Sequence, residues 1–187
     1  MKKYIFAVSA VSILAMANAY AASVPQDQSL TLDIIGEVTG SSVATPAACT
    51  VVADQGGSVV LNSADQSSII NQGENGTLMT KVGLHVYGVR GMADCYDVIQ
   101  SGRIALKFAG QQDNAQGTVL ANSGTATGVG IGIYNYNTHQ PININVDTLE
   151  IDKNTSTYLG LQSVKLSGQD ITSGTMKGAL TVEIERL

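Results

Sequence analysis

LTLDIIGEV, residues 30–38, alternates along almost its whole length. Leu30, Leu32, Ile34, Gly36 and Val38 fall on one parity, and Thr31, Asp33 and Glu37 take most of the other. Period-two alternation is what a strand with one buried face requires, because successive side chains point to opposite sides of a sheet. The segment precedes the first cysteine, and TGSSVATPAA (39–48) separates the two. Its apolar parity needs a surface to bury against, and the neighbouring sequence does not supply one.

Upstream, MKKYIFAVSAVSILAMANAYA (1–21) runs from two lysines through an apolar stretch into small residues. That order is the signature of a secretory signal peptide. Cleavage fits after Ala19 or Ala21, and Ala21 is favoured. The apolar run is short for a membrane span of about 20 residues. Removing residues 1–21 leaves 166 residues, which is expected to form one domain (41–187) behind an N-terminal extension (22–40).

Downstream the pattern is strand after strand. LMTKVGLHVYGV (78–89), RIALKFAG (103–110), GVGIGIYNY (128–136), TYLGLQSVKL (157–166) and KGALTVEIERL (177–187) all alternate or are rich in β-forming residues. VVLNS (59–63), GTVLA (117–121) and PININV (141–146) read the same way. Polar, glycine-containing turns separate them, and helix is expected only as one short turn within 62–77. Many short strands between polar turns predict an all-β sandwich.

The exported chain carries 8 basic and 15 acidic residues and no tryptophan. That surface argues against nucleic acid or anionic lipid as a partner. Cys49 and Cys95 are the two cysteines, and an even count in an exported chain predicts a disulfide. Metal and cofactor sites are not expected: His85 and His139 form no ligand spacing with the cysteines, and the acidic residues are scattered through turns. No G-x-S-x-G elbow is present, and GTATGVGIG (124–132) lacks the lysine and helix of a phosphate loop. No catalytic residue is assigned and an enzyme is not expected.

The order of these pieces resembles the type 1-like subunits of chaperone–usher fimbriae over essentially the whole chain. The resemblance rests on the signal peptide, the extension ending in G-x-V (Gly36, Glu37, Val38), and the first cysteine. It rests also on the second cysteine after VGLHVYGV (82–89) and on GVGIGIYNYNTHQPININ (128–145). At the end, Gly174 stands fourteenth from the C-terminus, ahead of alternating Leu180, Val182 and Ile184. There are two departures: Arg186 stands where these pilins usually have tyrosine, and the stretch from Gly36 to Cys49 is longer than usual, which suggests a looser tether.

The resemblance implies an incomplete immunoglobulin-like β-sandwich, completed by a donor strand from a neighbouring subunit. Leu30, Leu32, Ile34, Gly36 and Val38 would then be the donor residues. Gly174, Leu180, Val182, Ile184 and Leu187 would border the acceptor groove and dock the chaperone. Implied partners are identical or related pilin subunits in a head-to-tail filament, a periplasmic chaperone, an outer-membrane usher and, through the fibre, a host receptor. The chain would pass through the periplasm to a surface fimbria, as a shaft or adaptor subunit. The alternatives are a single-domain adhesin, with Tyr134, Tyr136 and His139 near one turn, and a monomeric secreted β-sandwich that binds a ligand.

Overall fold

Val82, Leu84 and Val86 are buried while Lys81 before them and His85 between the last two are exposed, so alternation here does produce a strand. Such a strand needs a second layer to cover its apolar face, and two sheets supply it. The computed structural model describes residues 30–33, 49–88, 93–151, 153 and 155–187, with 30–33 and 93–94 as backbone only. The expected signal peptide (1–21) and the donor positions Ile34, Gly36 and Val38 lie outside the described residues.

In chain order the elements are β1 (Leu30–Asp33), β2 (Cys49–Ala53), β3 (Ile70–Asn71), β4 (Thr80–Gly88), α1 (Ala93–Gln100) and β5 (Ile104–Gly110). Then come β6 (Leu120–Ala121), β7 (Val129–Asn135), β8 (Thr148–Glu150), β9 (Ser156–Lys165) and β10 (Ala179–Arg186). One sheet runs β1-β10-β5-β8; the other runs β2-β4-β9-β7-β6, with β3 parallel on β9. Val51, Leu84, Ile131, Ile133, Leu159 and Leu161 from the second sheet meet Ile104, Leu106, Phe108, Leu180 and Val182 from the first in one core. The predicted all-β sandwich is therefore the architecture observed.

A smaller cluster of Val119, Tyr134, Val164 and Leu166 forms outside the second sheet, with Ile70 and Met79 packed on it. This explains why β7 reads VGIGIYN and is buried at its first six positions. Its odd positions face the core, while Gly130 and Gly132 leave room on the other side for Val119 and the Tyr134 ring. Asp113 ties this region together. Its carboxylate accepts hydrogen bonds from Ala115 N (2.8 Å), Gln116 N (3.0 Å), Val119 N (3.1 Å) and Gln72 Nε2 (3.0 Å).

Several expectations are corrected. VVLNS (59–63) has no ladder partner and is an irregular segment, with Val59 buried and Val60 exposed. PININV (141–146) makes a single bridge, Tyr134 to Pro141, and then turns. The Asp147 carboxylate holds that turn by accepting from Asn143 N and Nδ2, and Asn145 adopts a positive φ of 62°. GTVLA (117–121) contributes only Leu120 and Ala121. The short turn expected within 62–77 is the 3₁₀ turn Gln66–Ser68, but α1 was not foreseen. It puts Cys95 and Ile99, one helical turn apart, into the core and leaves Tyr96 and Asp97 outside.

Candidate functional site

β10 has apolar residues on one parity only: Leu180 and Val182 are fully buried and Ile184 is half-buried, while Ala179, Glu183 and Glu185 are exposed. One edge of the strand is satisfied by β5, in antiparallel register from Leu180↔Gly110 to Arg186↔Ile104. The other edge carries β1, also antiparallel. The register is Leu30↔Val182, Thr31↔Thr181, Leu32↔Leu180 and Asp33↔Ala179. The four described residues of the N-terminal segment therefore lie against the C-terminal strand, with positions 30 and 32 opposite its two fully buried side chains.

The lead-in to β10 is fastened to residues 122–127 by hydrogen bonds along its length. Ser123 N donates to Lys177 O (2.9 Å), Ala126 N to Thr175 O (3.1 Å) and Thr172 N to Thr127 O (3.1 Å). Side chains add to this ladder: Thr175 N donates to Thr125 Oγ1 (2.9 Å), Thr125 N to Thr175 Oγ1 (3.2 Å) and Lys177 N to Asn122 Oδ1 (2.8 Å). Such close approach of two backbones explains Gly174. A Cβ there would lie 2.6 Å from the Thr125 carbonyl carbon and closer still to Ala126 N.

Beside this ladder lies a cleft of about 490 Å³. Val59 and Leu61 form one wall, Ile171, Gly174 and Met176 the other, and Val129 lies between them. The cleft is lined by residues of the segment that leads into β10, from Ile171 to Met176. Of the sequence-predicted groove residues, Gly174 lines the cleft, Leu180 and Val182 are buried in the core between the sheets, and Ile184 is partly covered. Leu187 is 57% exposed, and its amide donates to Arg103 O (3.0 Å). Sequence reading did not assign Val59, Leu61, Ile171 or Met176 to this place. The apolar run at 59–61 was the available signal, and it marks a cleft wall instead of a strand.

Cys49 and Cys95 are bridged, with Cα atoms 5.4 Å apart, joining the start of β2 to α1. Arg186 Nη2 donates to Cys49 Sγ at 3.9 Å, so the start of β2 sits beside the C-terminal end of β10. The tyrosines considered for a receptor site divide. Tyr134 is buried in the outer cluster, which pushes its phenol up to about 12, chiefly through desolvation and secondarily through the Glu74 charge. Tyr136 meets Tyr158 edge-to-face at 6.5 Å, and Lys81 Nζ sits 3.6 Å over the Tyr158 ring, a face that a stacked sugar would need. His139 Nδ1 is held at 2.8 Å from Gly76 O, and His85 is exposed on β4. Among the described residues, no three His, Cys, Asp or Glu side chains assemble into a metal-binding group.

No family model matches the chain, and no curated protein does. Among solved structures, it is similar to an antigen and type I fimbria protein of Burkholderia pseudomallei, at 16% identity and a TM-score of 0.43. That alignment covers 83% of this chain and 94% of the other. It is also similar to the P pilus rod subunit PapA, at 14% identity and a TM-score of 0.48, over 81% of this chain and all of the other.

Proposed function

We propose that this chain is a structural subunit of an adhesive surface fimbria that polymerises by donor-strand exchange. In this reading a periplasmic chaperone first covers the β10 edge, and an outer-membrane usher is the site of exchange. Residues 30–38 of a neighbouring copy then replace the chaperone there. The observation that carries the reading is the β1–β10 pairing: the buried face of the last strand is completed by the first apolar segment of the chain, in antiparallel register. A strand added to a sheet edge gains affinity from backbone hydrogen bonds and register from its alternate side chains. In the exchanged state, continuing that register one residue at a time would bring Ile34 to the level of Gly178, Gly36 to Met176 and Val38 to Gly174. A contact of this head-to-tail kind does not close on itself and generates a filament.

Deleting residues 22–38 tests the reading. The shortened chain should still co-purify with its chaperone, because the acceptor edge is intact, and should no longer polymerise. Fibres formed by the deleted chain would refute it. The pairing of β1 with β10 inside one molecule also suits a second reading, a monomeric secreted β-sandwich. That reading requires the purified chain to remain monomeric at every concentration.

A further inference from the structure

The loop between β3 and β4 carries Asn75–Gly76, the one Asn-Gly pair in the sequence. In an open chain this pair is chemically labile. Asparagine degrades when the backbone nitrogen of the next residue attacks its side-chain amide, and glycine has no Cβ to shield that nitrogen. In the folded chain Asn75 is exposed to water, whereas Gly76 directly behind it is buried. The half of the pair that would be attacked is therefore accessible, and the half that would attack is not.

Both flanks of Asn75 are fastened. Upstream, Asn71 N and Nδ2 donate to the Glu74 carboxylate at 3.0 and 2.9 Å, and Glu74 N donates to Asn71 O at 3.2 Å. Downstream, Thr77 N and Leu78 N share the buried Gln162 Oε1 as acceptor, at 2.9 and 3.1 Å. Gly76 itself is gripped twice by one residue. Its N–H donates to His139 O at 2.8 Å, and its carbonyl accepts from His139 Nδ1, also at 2.8 Å. His139 reaches this position with a φ of 62°, a left-handed conformation that a residue with a Cβ adopts at a cost. The strain thus falls on the residue whose carbonyl and imidazole both meet Gly76. Its turn is closed in addition by His139 N donating to Asn135 O (2.8 Å) and Asn135 N donating to Gln140 O (2.9 Å).

We propose that Asn75–Gly76 is a deamidation site that the fold holds shut, with His139 as its clamp. In the reaction the Gly76 nitrogen loses its proton and bonds to the Asn75 side-chain carbonyl carbon. The bond from that carbon to the amide nitrogen breaks, and ammonia leaves with the proton. Water then opens either carbonyl of the five-membered imide, which gives aspartate or isoaspartate. The proton that must leave first is the one His139 O accepts, so the reaction proceeds only from states in which the clamp has opened. Aspartate at 75 would set a second carboxylate beside Glu74, whose charge already acts on the buried Tyr134 phenol. Isoaspartate would also add a methylene to the backbone between two fastened turns. Lost ammonia is not regained, so the site keeps a one-way record of the time the loop spends open. The proposal is independent of the filament reading and holds equally for a monomer.

The test incubates the chain from residue 22 at mildly alkaline pH and follows deamidation at residues 75 and 122 by peptide mass spectrometry. Asn122, which precedes Ser123, is the internal reference. Conversion at residue 75 should be at least about tenfold slower in the folded chain than in the same chain unfolded in urea. Equal rates in the two states overturn the proposal, and this comparison needs no variant to fold. His139→Ala removes the imidazole half of the clamp. It should speed conversion at residue 75 about fivefold, the factor that one lost hydrogen bond gives, and leave residue 122 unchanged. If the variant leaves residue 75 as slow as before, or speeds both residues alike through general loss of stability, His139 is not the clamp and the proposal fails.

Discussion

Replacing Gly174 with alanine adds a single methyl group at the point where two backbones come closest to the acceptor strand. That methyl would lie 2.6 Å from the Thr125 carbonyl carbon and 2.7 Å from Ala126 Cα, so the 171–177 segment must move away from 122–127. Forcing one carbon into a packed site costs about 1–3 kcal/mol. The displacement also strains the bonds Ala126 N to Thr175 O, Thr175 N to Thr125 Oγ1 and Thr125 N to Thr175 Oγ1. Each contributes about 0.5–1.5 kcal/mol, but their groups regain water on separation, so about one bond's worth is added. The expected loss is about 3 kcal/mol, or about 6–12 °C in melting temperature for a domain of this size. Urea unfolding at pH 7 measures it, with Ser63→Ala on the exposed cleft margin as the control. The variant should also bind a peptide of residues 26–40 at least about tenfold more weakly, because Gly174 and Met176 shift together. A destabilisation below about 0.5 kcal/mol, the range of an ordinary surface change, would refute the close-approach argument.

Three further outcomes are expected. Ile34→Asp should block polymerisation while leaving the melting temperature of the chaperone-free chain within about 2 °C, because on the donor-strand reading the exchange buries an unpaired carboxylate; size-exclusion chromatography and thermal melts separate the two effects. Asp113→Asn should destabilise the fold at neutral pH and progressively less in acid. Burial pushes the Asp113 carboxyl up, but the amides of Val119, Ala115, Gln116 and Gly117 together bring it below its usual value. A depressed folded-state pKa contributes stability above the unfolded value of 3.8 and loses it as pH falls through the folded value, so urea titrations of both proteins should converge below about pH 4. Reducing the Cys49–Cys95 bridge, which spans 46 residues, should cost about 4 kcal/mol on the chain-entropy account; melts with and without dithiothreitol would contradict this if they coincided.

The sequence by itself determined the sandwich class, five of the longer strands, and the parity of the segment whose first residues pair with β10. The patterns at 80–88, 104–110, 129–135, 156–165 and 179–186 were legible because one strand displays both faces within a few residues. The cysteine pairing was legible from the count alone. Elsewhere local pattern was ambiguous. VVLNS and PININV carry β-forming apolar residues, yet a strand exists only where another backbone accepts its hydrogen bonds, and these segments have no such partner over their length. The eight-residue α1 is too short for its period to stand out, and Cys95 and Ile99 are placed by the bridge and the core. The site was half visible. Leu180 and Val182 announce an apolar face, but the cleft joins residues 59–61 to 171–176, which only the folded sheets bring together. Tertiary structure also decided that β1 pairs with β10, leaving it at the Ala179 end, while β2 starts beside Arg186 at the other end. Which segment lies beside β10 depends on the backbones that the folded sheets bring together, whereas the sequence states only which residues alternate.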